Sequence, residues 1–176
     1  MNMKNIYIPF LVFFLYSSNS FSCSCYNLGN FFDIIKYSDV VALVKVKKYN
    51  NFFELSGANP PDTIFQPLSA TFSVIETIKG AKLKDQIEVY GDDGAQCSPY
   101  IDTFKIGKYY IIAFNKIEDN TPNSIQEYTV SICGEFWINY NNSNESVEGR
   151  IYSKEKEIHS ITYSELKKEL LDKNCR

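Results

Sequence analysis

The sequence predicts a mainly β protein with one domain: five strands, a short helix before them and another helix after them. Three observations support this. The 176 residues leave room for one core. The chain holds thirteen Phe and thirteen Tyr, residue types that are enriched in strands. Short segments of apolar and polar alternation recur between polar loops, and a composition of 44% hydrophobic and 22% charged residues is that of a folded globular protein.

The first 22 residues indicate an export signal, which lies outside the fold. Lys4 supplies the positive start, and Ile6–Tyr16 is an apolar run too short to span a bilayer comfortably. Ser20 and Ser22 are the small residues expected before a cleavage site, so we expect a secreted protein whose mature chain begins at Cys23. A lipid anchor on Cys23 is the minority alternative, because lipid signals usually carry Leu at the position of Ser20.

Six segments of the mature chain have the period of a helix or a strand, and a cap signal marks a seventh. Asn30–Tyr37 has apolar residues at helical spacing and predicts a short helix. Thr162–Glu165 has capping-box spacing and begins a helix in which Leu166, Leu170 and Leu171 mark one face. Five segments predict strands, and they are Asp39–Tyr49, Ala70–Lys79, Gln86–Tyr90, Lys108–Asn115 and Gln126–Cys133.

Polar segments rich in Asn, Gly or Pro separate these elements. The predicted loops are Asn50–Pro67, Ile117–Ser124 and Asn139–Ser146. Asn141 and Asn144 each begin an Asn-x-Ser sequence, which is a glycan acceptor in a eukaryotic host. Five antiparallel strands with helices at the ends suit a small Greek-key barrel of the oligonucleotide/oligosaccharide-binding (OB) type, and a plain sandwich is the alternative. We expect this barrel over residues 23–137 and, over residues 138–176, a polar loop and an amphipathic helix packed on it.

The charge of the chain limits its partners. It has 18 basic and 21 acidic residues, a formal net charge of -3 at pH 7. A nucleic-acid partner calls for a basic face, so we expect none. Past Cys23 no segment is long and apolar enough to span a bilayer, so we expect no membrane span.

All of the cysteines lie in the exported part of the chain, at Cys23, Cys25, Cys97, Cys133 and Cys175. Disulfides form and persist outside the cell, so we expect pairing, and the odd count leaves one cysteine over. A zinc site is the competing interpretation. It is disfavoured because one residue separates Cys23 from Cys25, where structural zinc loops have about two to four, and because His159 is the only imidazole.

Few residue combinations suit catalysis. The single His, in Glu157–His159, leaves no Ser/His/Asp or Cys/His set to nominate, so we expect no enzyme activity and no cofactor. Asp92 and Asp93 would pair as carboxylates or hold a calcium ion in one interpretation. An Asp-rich turn before Cys97 is favoured instead, because the full spacing of a calcium loop is absent.

Several short motifs follow one another in an order that is typical of one family. They are Cys23-x-Cys25 at the mature N-terminus, Ser38–Val41 at the first strand, Ile78–Gly80 at the end of the second, and Cys97 followed by Phe104-x-x-Gly107-x-x-Tyr110-x-Ile112. Thr129–Trp137 continues the match. In these residues the chain resembles the netrin-like domain, and in particular the tissue inhibitors of metalloproteinases, over residues 23–137.

The resemblance implies an OB-fold-like barrel, a disulfide pattern and an activity. It implies that Cys23 pairs with Cys97 and Cys25 with Cys133, while Cys175 is free or links two chains. It also implies a metalloendopeptidase inhibitor in which the free α-amine and carbonyl oxygen of Cys23 chelate the catalytic zinc of a partner protease. Ser24 would then point toward the primary specificity pocket of that protease.

Two features keep a second function open. Animal inhibitors of this kind carry a third cysteine soon after the second, and this chain has none between Cys25 and Cys97. Netrin-like domains that inhibit no protease also begin with Cys-x-Cys. A secreted binding module without inhibitory activity is therefore the alternative.

Overall fold

A computed structural model of the chain describes residues 28–55, 64–93, 97–117, 127–152 and 157–174. The predicted signal peptide, Cys23, Ser24, Cys25 and Cys175 lie outside these ranges, as does the predicted loop Ile117–Ser124 except for Ile117. The elements in chain order are α1 (Phe31–Ile34), β1 (Val40–Leu55), β2 (Ile64–Lys79), β3 (Gln86–Tyr90), a 3-10 turn (Ile101–Thr103), β4 (Tyr109–Lys116), β5 (Glu127–Thr129), β6 (Trp137–Asn141), β7 (Ser146–Gly149), β8 (His159–Thr162) and α2 (Tyr163–Asn174).

The first five strands form a closed ring, which confirms the mainly β prediction and the existence of the five predicted strands. The sheet order is β1-β2-β3-β5-β4-β6-β7-β8, and β1 also pairs with β4. Among neighbouring strands only β3 and β5 are parallel. The sequence analysis expected antiparallel strands throughout, but an odd number of strands cannot alternate in direction around a ring, so one pair has to be parallel.

The interior of the ring is filled by large apolar side chains from strands on opposite sides. Phe104, which directly follows the 3-10 turn, is fully buried. Its ring makes edge-to-face contacts with Phe72, Tyr110 and Trp137, at centroid distances of 5.7, 5.4 and 5.3 Å. Such pairs add to the stabilisation that burial itself gives. One aromatic residue therefore joins β2, β4 and β6.

Part of the predicted loop Asn50–Pro67 is wrong, because β1 and β2 continue into it as a two-stranded ribbon. The pairing runs from Asn50 with Ser69 to Leu55 with Ile64. Asn and Pro made the segment resemble a loop, but an isolated ribbon needs few buried residues and tolerates polar ones on both faces. Asn51 has a φ of 52°, a left-handed conformation that Asn tolerates better than most residues.

The predicted loop Asn139–Ser146 is also wrong, because its ends belong to the β6–β7 hairpin. Asn139 pairs with Glu148 and Asn141 with Ser146, and β6 extends the sheet from β4. Only one residue of β6 and one of β7 is buried, so the apolar alternation is too sparse to predict strands. The segment after residue 137 is therefore a further part of the sheet, followed by β8 and α2.

Helix α2 begins as the sequence predicts. The Thr162 N–H donates to Glu165 Oε2 at 2.8 Å, and the Glu165 N–H donates to Thr162 Oγ1 at 3.2 Å, which is a capping box. The Thr162 N–H and, at 2.8 Å, the Thr162 hydroxyl both donate to the Glu165 carboxylate, and these two hydrogen bonds lower its pKa. Leu166 and Leu170 are buried as expected, but Leu171 is 61% exposed. The prediction for Leu171 is wrong because one residue turns a helix by about 100°, which moves this side chain off the packed face.

Two further contacts hold α2 against the ring. Tyr163 donates its hydroxyl hydrogen to Glu76 Oε2 at 2.8 Å, and Lys167 forms a salt bridge with Glu76 at 3.2 Å. Burial raises the pKa of the Tyr163 hydroxyl well above its usual value, and the carboxylate of Glu76 adds to the shift.

In the part of the chain described, no helix has the length and hydropathy to cross a membrane.

Candidate functional site

Cys97 and Cys133 lie on neighbouring segments of the folded chain, although 35 residues separate them in the sequence. The Ile132 N–H donates to the carbonyl oxygen of Cys97 at 3.1 Å. Beside this contact, Ser98 Oγ and Thr129 Oγ1 are 2.9 Å apart. The fold therefore brings together the two predicted disulfide cysteines that it describes.

The first described residues dock against the same segment. The Leu28 N–H donates to the carbonyl oxygen of Cys133 at 2.8 Å, and the Glu135 N–H donates to that of Gly29 at 3.1 Å. A Cβ added to Gly134 would lie 3.2 Å from the Gly29 oxygen, so the glycine lets the two backbones approach. We call Leu28, Cys97 and Cys133 the cysteine corner. The first described residues therefore lie against the segment that carries Cys133.

Two of the motifs that carry the family resemblance meet at another place in the ring. Lys79 donates from Nζ to the carbonyl oxygens of Ile35 and of Ser38, the latter at 3.1 Å. Burial lowers the pKa of Lys79, and the charge of Asp39 opposes this shift. Gly80 has a φ of 88°, and a Cβ there would lie 2.2 Å from the Asp39 oxygen. We call Ser38, Asp39, Lys79 and Gly80 the glycine corner.

The third motif closes the ring. The Gly107 N–H donates to Val46 on β1 at 2.9 Å, and Gly107 has a φ of 81°. Tyr110 accepts a hydrogen bond from the Lys105 N–H at 3.1 Å, and its ring packs against Phe104. The motif is therefore a turn that sets β4 beside β1. These residues and the glycine corner have structural roles that explain their presence.

The remaining sequence-predicted candidates have other surroundings. The Asp92 N–H donates to the carbonyl oxygen of Pro99, seven residues later in the chain, at 3.1 Å, and Asp93 is exposed. His159 begins β8, and its ring packs against Tyr152 with centroids 5.2 Å apart. Within the described ranges, no group of three or more His, Cys, Asp or Glu side chains is placed to hold a metal ion.

A polar network that the sequence did not predict lies on the outer face of β1, β2 and β3. The carboxylate of Glu88 accepts hydrogen bonds from Asn50 Nδ2 at 2.9 Å, from Ser69 Oγ at 2.5 Å and from Thr71 Oγ1 at 3.2 Å. Glu88 pairs in register with Thr71, so the network joins neighbouring strands. The alternation of Gln86–Tyr90 placed Glu88 outward, but its partners required the β1–β2 ribbon, which had been predicted as a loop.

The sequence also did not predict a groove of about 660 Å³ between the turn before β4 and the β6–β7 hairpin. Lys105, Lys108, Tyr109 and Tyr140 are among the residues that line it. Its far wall is the hairpin that the sequence indicated as a loop. The alternation of Trp137–Asn141 was the available signal, and it covers only five residues.

Comparison with known proteins adds no family to this description. No protein-family model matches the chain. No curated protein is significantly similar to it in sequence. The resemblance to the netrin-like domain therefore depends on the sequence motifs and on the positions of their residues in the fold.

Proposed function

We propose that the protein is a secreted inhibitor of metalloendopeptidases with a netrin-like, OB-type barrel. The observation that carries the proposal is the docking of Leu28 at the cysteine corner, where its N–H donates to the carbonyl oxygen of Cys133 at 2.8 Å. An inhibitor that uses its N-terminus needs that terminus held at the surface of a rigid barrel. The contact of Leu28 with Cys133 supplies the anchor for it.

The OB-type assignment is supported by the ring of five strands. In it β3 lies beside β5 and β4 beside β1, so consecutive strands are not always neighbours. Non-sequential neighbours are what a Greek-key barrel has and an up-and-down barrel lacks. The motif residues Gly80 and Gly107 lie at the ends of ring strands, which is where a shared fold would require them.

The disulfide pairing of Cys25 with Cys133 is supported by chain length. Cys25 precedes Leu28 by three residues, which span at most about 11 Å when extended. A disulfide needs its two α-carbons about 4.4 to 6.8 Å apart. A chain of three residues from Leu28 is long enough to bring Cys25 to this distance from Cys133. Cys97 lies on the neighbouring segment, which supports the proposed pairing of Cys97 with Cys23. Both pairs together would fix the short segment from Cys23 to Cys25.

The inhibitory chemistry then belongs to Cys23. Its neutral α-amine and its carbonyl oxygen are two ligands for the open position of a protease zinc, which otherwise holds water. Ser24 follows them into the primary specificity pocket. Because two disulfides would order this segment beforehand, binding would not have to order a loose tail.

A secreted binding module without inhibitory activity is the second candidate, and one observation favours it. On the β1–β2 ribbon, Phe52 and Phe65 are 57% and 63% exposed. Phe52 pairs with Pro67, and Phe65 pairs with Glu54, so both rings lie on one face of the ribbon. Exposed aromatic residues are typical of protein interfaces.

The test is to titrate the purified mature protein against a panel of zinc endopeptidases. The form that begins at Cys23 should inhibit at least one of them. Inhibition should strengthen from about pH 6 to pH 8, because the amine has to lose its proton and an ordinary α-amino pKa is about 7.7 to 8.0. Enlarging Ser24 should change which proteases are inhibited.

Matched forms of the N-terminus separate the two candidates. Acetylation of the Cys23 amine, or retention of Ser22, should abolish inhibition while the circular dichroism of the barrel stays unchanged. Equal inhibition by the Ser22-extended and mature forms would refute chelation. No inhibition by any form across the panel would favour the binding module.

A further inference from the structure

The groove before β4 is separate from the cysteine corner and has no part in the proposed inhibition. Its volume of about 660 Å³ lies in the range of about 300 to 1,000 Å³ that is typical of small-molecule sites. Lys105 and Lys108 lie in the turn on one side, and the β6–β7 hairpin lies on the other. The groove therefore joins a charged wall to a polar one.

The charged wall is positive. Lys45 lies beside it on β1, with its Nζ 4.9 Å from the centroid of the Tyr109 ring. In the described ranges, Lys45, Lys105 and Lys108 form no salt bridge. Glu148, on β7, is the single acidic residue among the described residues that line the groove. A concentration of ammonium groups without a carboxylate partner among the described residues, in a chain of net charge -3, favours an anionic ligand.

Two half-buried tyrosines line the groove, Tyr109 at the start of β4 and Tyr140 on β6 of the hairpin. The rings of Tyr109 and Tyr140 are 6.2 Å apart at an angle of 67°. Tyr140 is also held by Tyr163, at 5.3 Å. Rings fixed in this way lose little freedom on binding, and their apolar surface suits the C–H face of a sugar ring.

The hairpin wall carries amide groups. Asn139 and Asn142 are exposed, and their side chains have no hydrogen-bond partner among the residues that the structure describes. Asn141 Oδ1 accepts from the N–H and the hydroxyl of Ser143, at 3.0 and 2.7 Å, which fixes the turn. Each free amide offers both donors and an acceptor, which is what the neighbouring hydroxyls of a sugar require.

We propose that this groove binds a short oligosaccharide of uronic-acid units. The lysines hold a carboxylate, the two tyrosines pack against sugar rings, and the asparagines bind hydroxyls. An acidic peptide would satisfy the lysines alone, because its flexible backbone has no flat ring face for Tyr109 and Tyr140. The combination of the three surfaces therefore favours a glycan over a peptide.

Isothermal titration calorimetry on the purified secreted protein tests the ligand class. Tetragalacturonate should bind, and its affinity should fall as salt is added. Its fully methyl-esterified form, which keeps the rings and loses the charge, should bind about tenfold more weakly. Equal affinity for the methyl ester, equal affinity for tetraglutamate, or no binding of tetragalacturonate at millimolar concentration would each overturn the proposal.

Two pairs of variants test the place of binding. Lys105→Ala with Lys108→Ala should weaken tetragalacturonate binding about tenfold. Lys82→Ala with Lys84→Ala makes the same charge change at exposed sites elsewhere and should change affinity less than about twofold. All four lysines are exposed, so both variants should fold. Equal losses in the two variants would show a non-specific charge effect and refute the site.

The aromatic contribution has its own control. Tyr109→Leu should weaken binding of the charged and esterified tetrasaccharides by the same factor, because the ring contacts sugar and not the carboxylate. Tyr37→Leu replaces a tyrosine that is 67% exposed, away from the groove, and should leave affinity unchanged. Unchanged affinity in the folded Tyr109→Leu variant would remove the glycan argument.

Discussion

The glycine corner and the cysteine corner both bring distant parts of the chain together, but they do so differently. At the glycine corner, Lys79 and Gly80 are each required by packing, one as a hydrogen-bond donor and the other by lack of space. At the cysteine corner, backbone hydrogen bonds hold Leu28 against Cys133 and do not depend on the side chain of either residue. Motif residues that packing explains are evidence for a fold, and residues that packing does not require are evidence for a function.

The largest effect is expected at the glycine corner. Gly80→Ala should lower the free energy of unfolding by about 3 to 4 kcal/mol, because the new Cβ meets a backbone oxygen that cannot move without breaking strand pairing. The Cβ position lies 2.2 Å from the Asp39 carbonyl oxygen, so the backbone has to shift before a side chain can fit. Urea denaturation followed by circular dichroism measures the loss.

Substitutions at two other glycines distinguish the two causes of that loss, which are backbone strain and steric contact of the new Cβ. Gly107 has a φ of 81°, but no described atom lies within 4 Å of its Cβ position, so Gly107→Ala should cost about 1 to 2 kcal/mol from backbone conformation alone. At the cysteine corner, the Cβ of Gly134→Ala would lie 2.5 Å from Cδ1, the far end of the Ile34 side chain, and 3.2 Å from the Gly29 oxygen, and should also cost about 1 to 2 kcal/mol. Equal losses at Gly80 and Gly134 would remove the distinction between the corners.

A smaller effect is expected from Lys79, with a dependence on pH. Lys79→Met removes the donor to the Ile35 and Ser38 carbonyls and should cost about 1 to 2 kcal/mol at pH 7. Because burial lowers the pKa of Lys79 below its usual 10.5, the unfolded chain holds more protons than the folded protein between those two values. Wild-type stability should therefore rise with pH in that window relative to the variant.

The measurement is chemical denaturation of both proteins at several values between pH 7 and pH 10. Both proteins contain the same tyrosines, so the effect of tyrosine titration on stability cancels in the difference between them. Lys36→Met, at an exposed neighbouring position, is the matched control and should change stability by less than about 0.5 kcal/mol. A constant difference between wild type and Lys79→Met across the range would contradict the assigned burial of the ammonium group.

The ring strands were predictable because burial leaves a local pattern in the sequence: alternation where one face is buried, as on β3, and an apolar run where both faces are, as on β4. Phe72 on β2 and Ile87 and Val89 on β3 alternate with polar residues, and all three lie in the core. The capping box at Thr162 was predictable for the same reason, since its hydrogen bonds span only three residues. Local patterns thus predicted local structure.

What the sequence could not predict depends on contacts between distant segments. Gly107 bonds Val46 to close the ring, and no local pattern contains that pairing. Strands β6 and β7 are each anchored by one buried residue, Ile138 and Val147, among Asn, Ser and Glu. The groove wall was missed with them. The docking of Leu28 at the cysteine corner was likewise outside the reach of any motif.

The proposed inhibitor is best tested by non-reducing peptide mapping of the purified protein, with mass spectrometry of its N-terminus. We expect a free amine on Cys23 and disulfides that join Cys23 to Cys97 and Cys25 to Cys133, with Cys175 in neither pair. A lipid on Cys23, a disulfide between Cys23 and Cys25, or one between Cys97 and Cys133 would contradict the proposal, because none of these leaves the ordered N-terminal segment that zinc chelation needs.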